Sequence, residues 1–282
     1  MKVSTILDTD IGYDPDDLFA LILLLKSKEL KLDLIVTGDD KYGKRFVFVK
    51  KILELMDVYD VKVVKGSSVG GHKFLLDEYI TGEKFQTEKD FVKEIKRVVD
   101  SSDKVVYIGI SSFTNLSHVI RKYPNIKKKL KIYQMGGSVN YSRGPLWVEH
   151  NVKLDVKSVK FVLGSGCDIS LIMAQTTFNP ELRIDNKHRI YRKLRASKNS
   201  VYKILVKHID LYHKHSEKWP YMHDPLTVAE ALGKRYVDYN KSALIVDNKG
   251  NIKVSKIGPK VMFSKKKLSG KEFMNFLEKR LF

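Results

Sequence analysis

A single cysteine, Cys167, stands in 282 residues. No internal disulfide can form, and a reducing cytoplasm is the expected setting. Long apolar runs are missing too, so no bilayer-crossing helix is expected. Asp8 and Asp10 interrupt the early apolar stretch that a signal peptide would need. No zinc-ligand spacing, nucleophile elbow, phosphate-binding loop or dinucleotide fingerprint occurs, which leaves those chemistries without support. No linker or repeat divides the chain, and residues 1–282 are expected to form one domain near the upper size limit for a single core.

Acids are scarce, 33 against 52 lysines and arginines, giving a formal net charge of +19. A nucleic-acid binder should gather such charge on one face or motif. Here the lysines are spread, and the runs Lys127-Lys-Lys129 and Lys265-Lys-Lys267 lack the interleaved aromatics of a stacking surface. The reading is a solvated basic surface able to steer anions, with no nucleic-acid partner and no membrane.

Against that scarcity, Asp8-Thr-Asp-Ile-Gly-Tyr-Asp-Pro-Asp-Asp17 packs five carboxylates into ten residues. It follows the apolar run 3–7, which reads as a buried parallel strand, and precedes an apolar helix over 18–25. Ligands of open parallel sheets bind at the strand ends where these acids fall. Crowded like charges call for a cation, and all-oxygen donors favour calcium or magnesium over zinc. An acidic loop capping a helix is the plainer alternative, since Asp16 and Asp17 suit a first turn. It leaves Asp8 and Asp10 unexplained.

Further strands are expected at 32–37, 61–64, 105–110, 132–135 and 169–174. Helices are expected at 44–56, with Phe46, Val49, Leu53 and Met56 inward, and at 90–99 and 155–163. Residues 72–87 show no clean period and suggest a flap. This alternation is the signature of an open α/β sheet, Rossmann-like and mostly parallel, with helices on both faces. Beyond residue 177 come basic helices at 189–196 and 200–213, strands at 243–246 and 252–254 about a turn, and a terminal helix from 272. His223-Asp-Pro225 is the second sharp signal. With Pro225 at the first helical position, Asp224 would sit just outside the helix, to cap it or to complete the oxygen cage.

The sequence resembles the inosine-uridine-preferring nucleoside hydrolase family. The matching pieces, in the family's order, are the acidic stretch 8–17, Phe113-Thr-Asn115, Met135-Gly-Gly137, Glu149-His-Asn151 and His223-Asp-Pro-Leu226. The resemblance implies calcium-dependent hydrolysis of the N-glycosidic bond of ribonucleosides, in homodimers or homotetramers. It implies that Asp10 is both calcium ligand and general base. Asp17, Asp224 and the main-chain carbonyl of Ile110 are the other implied ligands. Asp16 would bind the ribose 2′ and 3′ hydroxyls, Glu149 and Asn151 would grip the sugar, and His223 would act near the base. An imidazole's ordinary pKa suits it to protonate the leaving group.

Four departures concern the substrate side. The acidic motif is two residues longer than its commonest form, giving Asp14 no counterpart. Asp39 stands where an asparagine often follows Gly38, Arg143 where an asparagine helps hold the sugar, and His150 where a large aromatic lies. They keep a second reading open, a nucleoside-binding homologue that has lost turnover. A haloacid-dehalogenase-type phosphatase, with Asp8 as nucleophile and Asp10 as acid, would explain neither Asp16-Asp17 nor His223-Asp224.

Overall fold

The structure, a computed structural model, describes residues 2–71, 73–82 and 90–282. Strand β1 (Val3–Thr9) leads to helix α1 (Asp16–Leu25), and β2 (Leu30–Thr37) to α2 (Lys44–Leu55). Next come β3 (Lys62–Lys65) with α3 (Phe91–Asp100), and β4 (Val105–Gly109) with α4 (Thr114–Lys122). Strand β5 (Leu130–Met135) precedes α5 (His150–Leu154) and α6 (Val156–Gly164). After β6 (Asp168–Ile172) come α7 (Ala174–Thr177), α8 (Arg189–Ala196), α9 (Ser200–Ser216) and α10 (His223–Ala231). The chain closes with β7 (Val237–Val246), β8 (Ile252–Ser255), β9 (Lys260–Leu268) and α11 (Gly270–Leu281).

The strands make one sheet in the order β3-β2-β1-β4-β5-β6-β9-β7-β8. It is parallel from β3 to β9, while β7 runs antiparallel to β8 and β9. Strand order reverses at β1, with β2 on one side and β4 on the other. A crevice therefore opens beyond the carboxyl ends of β1 and β4.

Both faces are covered, as the apolar strand runs require. Along β1, Leu7 joins the core under α1, α2, α9, α10 and α11, while the neighbouring Ile6 joins the core under α3, α4 and α6. Helix α1 is buried from Asp16 to Leu24. A helix apolar all round is a buried one. Truncating one of its fully buried leucines, such as Leu21, to alanine should cost about 2–5 kcal/mol.

Several expectations need correction. Helix α2 buries Phe48 and Ile52 with Val49 and Leu53, whereas Phe46 and Met56 are only half-buried. Helix α10 begins at His223, so Pro225 is its third residue and Asp224 lies inside the first turn. Strand β7 starts six residues before the expected 243, and β9 was not foreseen. Of the suggested flap, His72 and residues 83–87 lie outside the described residues. Its described part docks on the acidic loop, where Leu75 N–H donates to Gly12 O at 2.8 Å and Leu76 is fully buried.

Candidate active site

Two helix N-termini meet at the crevice. Asp16 and Asp17 form the start of α1 and Asp224 lies in the first turn of α10, where the helix field favours anions. Oxygens of Asp16, Asp17 and Asp224 lie within 4.8 Å of one another, and all three residues are buried. The backbone N–H of Asp224 donates to Asp16 Oδ2 at 3.2 Å, and Thr9 Oγ1 donates to Asp17 Oδ1 at 2.5 Å. Burial, and then like charge from neighbouring aspartates, push all three carboxyls well above the ordinary range. Buried carboxylates at this spacing, with only oxygen to offer, make a site for a hard divalent ion such as calcium.

Asp10 is half-buried at the rim and lies outside that trio. Its pKa is raised by burial, against the opposing charges of Arg45 and His150, and its own charge acts on Asp17 and Asp224. Ile110 follows β4 directly and donates its N–H to Asp8 O at 2.8 Å, which fastens it to the end of β1. The structure thus brings Asp16, expected at the ribose, within ligand distance of Asp17 and Asp224, with Asp10 beside them.

Asp8 has a different place. Its Oδ2 accepts from Tyr107 OH at 2.6 Å, and its Oδ1 accepts from Ser111 Oγ at 2.7 Å and Asn115 Nδ2 at 2.9 Å. Burial raises it to about 6 against those three hydrogen bonds. It fastens β1 to β4 and α4. Asp14, in the lengthened part of the motif, is also raised by burial to about 6, and its side chain meets Asp16 and Tyr212.

The residues expected at the sugar carry structural bonds of their own. Glu149 caps α5: Oε1 accepts from Asn151 N–H at 3.0 Å, and Oε2 from Val152 N–H at 3.1 Å and Gly137 N–H at 2.8 Å. Asn151 donates to Met135 O at 3.3 Å. A carboxylate offers about four lone-pair directions, so Glu149 keeps capacity for a hydroxyl. Asp39 adopts a left-handed conformation at φ 50°, and its Oδ1 accepts from the N–H groups of Val69 and Gly70 at 3.0 and 2.8 Å.

His223 lies in an aromatic cluster, edge-on to Phe178 at 4.6 Å and stacked on Tyr221 at 5.7 Å. Tyr141 and Trp147 flank Phe178, and the exposed Arg143 holds its guanidinium 4.3 Å from that ring. Burial, then the charge of Arg143, depress the His223 pKa to about 3. The expectation that this imidazole titrates near neutrality therefore fails, because its surroundings keep it neutral. A neutral ring still carries one N–H, and among the described residues the buried Nδ1 has no hydrogen-bond partner.

Sequence reading missed Arg45, 2% exposed beneath the acids. Nothing marked it among 52 basic residues. It also missed His208 on α9, fully buried, whose Nε2 lies 3.2 Å from Tyr13 O in the acidic loop.

Comparison with known proteins agrees with this geometry. The chain is 26% identical over 256 residues, 82% of its length and 80% of the relative's, to a pyrimidine-specific ribonucleoside hydrolase of Enterobacter sp. (strain 638). It is 24% identical over 202 residues, 66% of each chain, to a non-specific ribonucleoside hydrolase of Klebsiella pneumoniae (strain 342). In fold it resembles a plant nucleoside hydrolase, with a TM-score of 0.84 at 20% identity over 100% of this chain and 99% of that one. A purine-preferring ribonucleoside hydrolase from Gardnerella vaginalis superposes with a TM-score of 0.81 at 22% identity, covering 99% and 98%. The description "Inosine-uridine preferring nucleoside hydrolase" matches residues 5–272, and with acids from two helix starts meeting at the switch point of its sheet, the chain belongs to that family.

Proposed function

We propose that this protein hydrolyses the N-glycosidic bond of ribonucleosides to ribose and free base, with calcium as cofactor and Asp10 as general base. Family membership makes it a ribonucleoside hydrolase. The observation that carries the calcium reading is the convergence of Asp16, Asp17 and Asp224 within 4.8 Å. With Asp10 half-buried beside them and the Ile110 carbonyl as the further ligand in this reading, the donor set fits the ion. Calcium, when bound, supplies positive charge that orients water and sugar hydroxyls and lowers the water's pKa.

The remaining roles belong to the chain. Asp10, the one acid of this group that is only half-buried, accepts the proton of the attacking water. Asp16 holds the ribose 2′ and 3′ hydroxyls from within the cluster, and Glu149, Asn151, Asp39 and Arg143 bound the sugar. Positive charge growing on the ribose ring is met by the surrounding carboxylates. His223 offers a hydrogen bond, as a neutral imidazole, to the departing base on the aromatic side. No covalent intermediate is required.

Residues 1–282 act as one domain in this reading, and the working protein is a cytoplasmic homodimer or homotetramer without a nucleic-acid partner. The named relatives span pyrimidine-specific, non-specific and purine-preferring enzymes, so the decisive test is a panel. Inosine, adenosine, uridine, cytidine and p-nitrophenyl riboside are assayed for released ribose, with calcium and with chelator. Calcium-dependent release from at least one nucleoside is expected. Calorimetric nucleoside binding without release would instead favour a binding homologue, the reading that Asp39, Arg143 and His150 keep open.

A further inference from the structure

Arg45 sits in the first turn of α2, where Asp40 fixes the backbone by accepting from the N–H groups of Arg45 and Phe46 at 3.2 and 2.8 Å. Its guanidinium has five N–H donors in a rigid fork. All five find main-chain carbonyls. Nε donates to Asp39 O at 3.3 Å, Nη1 to Asp10 O and to Ile11 O (the latter at 2.7 Å), and Nη2 to Gly71 O and Lys73 O at 3.2 Å each. These carbonyls lie on three separate loops, those leaving β1, β2 and β3. The loops also touch one another, since a Cβ on Gly12 would come within 2.3 Å of Phe74 and one on Gly71 within 2.7 Å of Asp39. One buried side chain therefore sets the spacing among the loops that carry Asp10, Asp39 and Gly71.

We propose that Arg45 is the positioning residue of this site, a five-point clamp that holds the Asp10 carbonyl, and with it the Asp10 carboxylate, in register with Asp17 and Asp224. The inference rests on reading the acid cluster as the hydrolytic centre. The fork, more than the charge, does the work, because the acceptors are neutral carbonyls spread over an arc. An ammonium presents three donors from one point and cannot span them. Misplacing a reacting group by about 1 Å costs roughly a hundredfold in rate.

Arg45→Lys and Arg45→Gln test this by three readouts: amide hydrogen exchange, calcium affinity by calorimetry, and kcat and KM for p-nitrophenyl riboside. For Arg45→Lys we expect exchange at residues 11–13, 39–43, 69–71 and 73–75 to rise at least about tenfold while β4 and β5 keep their protection. Calcium should bind about tenfold more weakly and kcat should fall about a hundredfold, with a smaller change in KM. Arg45→Gln should do the same or worse. If Arg45→Lys matches the wild type in loop exchange and calcium binding, the clamp is refuted and only charge matters. If exchange rises uniformly over the sheet in both variants, Arg45 is a general fold stabiliser, which equally overturns the proposal. A wild type inactive toward every riboside would sink the hydrolase reading, while the exchange and calcium readouts would still judge the clamp.

Discussion

Removing calcium should change the protein's stability in a pH-dependent way, and the structure sets the size. Two unit charges 4.8 Å apart at an effective dielectric constant of 20 repel by about 3.5 kcal/mol. Three ionised carboxylates at that spacing would cost about 10 kcal/mol, comparable to the whole stability of an ordinary domain. The metal-free chain is therefore driven to keep protons within this trio, whose carboxyl pKa values burial and mutual repulsion raise above the ordinary 3.8. Above pH 3.8 the folded metal-free state then binds more protons than the unfolded one, so its stability falls as pH rises through the folded-state values. Calcium replaces those protons and removes the penalty. The melting-temperature gap between calcium and chelator should therefore widen as pH rises above the ordinary carboxylate range. Calcium at about a hundred times its Kd adds about 2.7 kcal/mol, or roughly 4–5 °C for a chain of 282 residues. Differential scanning fluorimetry reads the gap, and calorimetry in buffers of different ionisation enthalpy reads the protons released. Asp224→Asn should shift the two quantities in opposite senses, raising the metal-free melting temperature at neutral pH while weakening calcium. Coincident melting curves in calcium and chelator at every pH would refute the reasoning.

Asp10→Asn should lower kcat by about 10²- to 10⁴-fold while nucleoside binding by calorimetry changes little, because the amide cannot take the water's proton; undiminished turnover would remove Asp10 from the base role. His223→Ala should slow inosine and uridine at least about tenfold more than p-nitrophenyl riboside, whose leaving group needs little help, and equal losses would reduce His223 to packing. Because His223 titrates at about 3, its loss should leave the neutral region of the pH–rate profile unchanged in shape; a limb near pH 6.5 that vanishes in the variant would contradict this. Glu149→Gln should weaken the cap of α5, costing about 1 kcal/mol by denaturant melts, and should raise KM more than it lowers kcat.

Legibility varied with the kind of signal. The parallel strands and their order of chemistry could be read because continuous apolar runs end in acids, glycines or hydroxyls, and the helices expected from 90 and 155 start one residue on, capped by Asp90 and Asp155. Strand β9 was hidden because Lys265, Lys266 and Lys267 are exposed on a segment whose core contacts, Val261, Phe263 and the partly buried Leu268, follow no clean alternation. Helix α10 starts early because Tyr221 O accepts from His223 N–H and Met222 O from Leu226 N–H, a geometry that proline placement does not reveal. The acids of the site were legible by crowding and by resemblance. Arg45 was not, since its partners are backbone carbonyls contributed by loops up to 35 residues away.

Strand β9 also has a consequence for biosynthesis. It lies between β6 and β7, so the β7–β8 hairpin has no sheet to join until residues 260–268 have been made. Yet the tip of that hairpin, Gly250, packs against Val148, Val152 and Val156 around the Glu149 cap. Roughly two hundred residues separate Asp17 from Asp224, about 10–40 s of translation at 5–20 residues per second. Throughout that interval the nascent chain carries an uncompensated acidic loop, and from residue 172 until β9 is made it carries an open β6 edge. Such an edge is a template for wrong pairing. Stalled products ending before residue 260 should therefore be clients of chaperones, and the last strand to leave the ribosome is the one that closes the sheet.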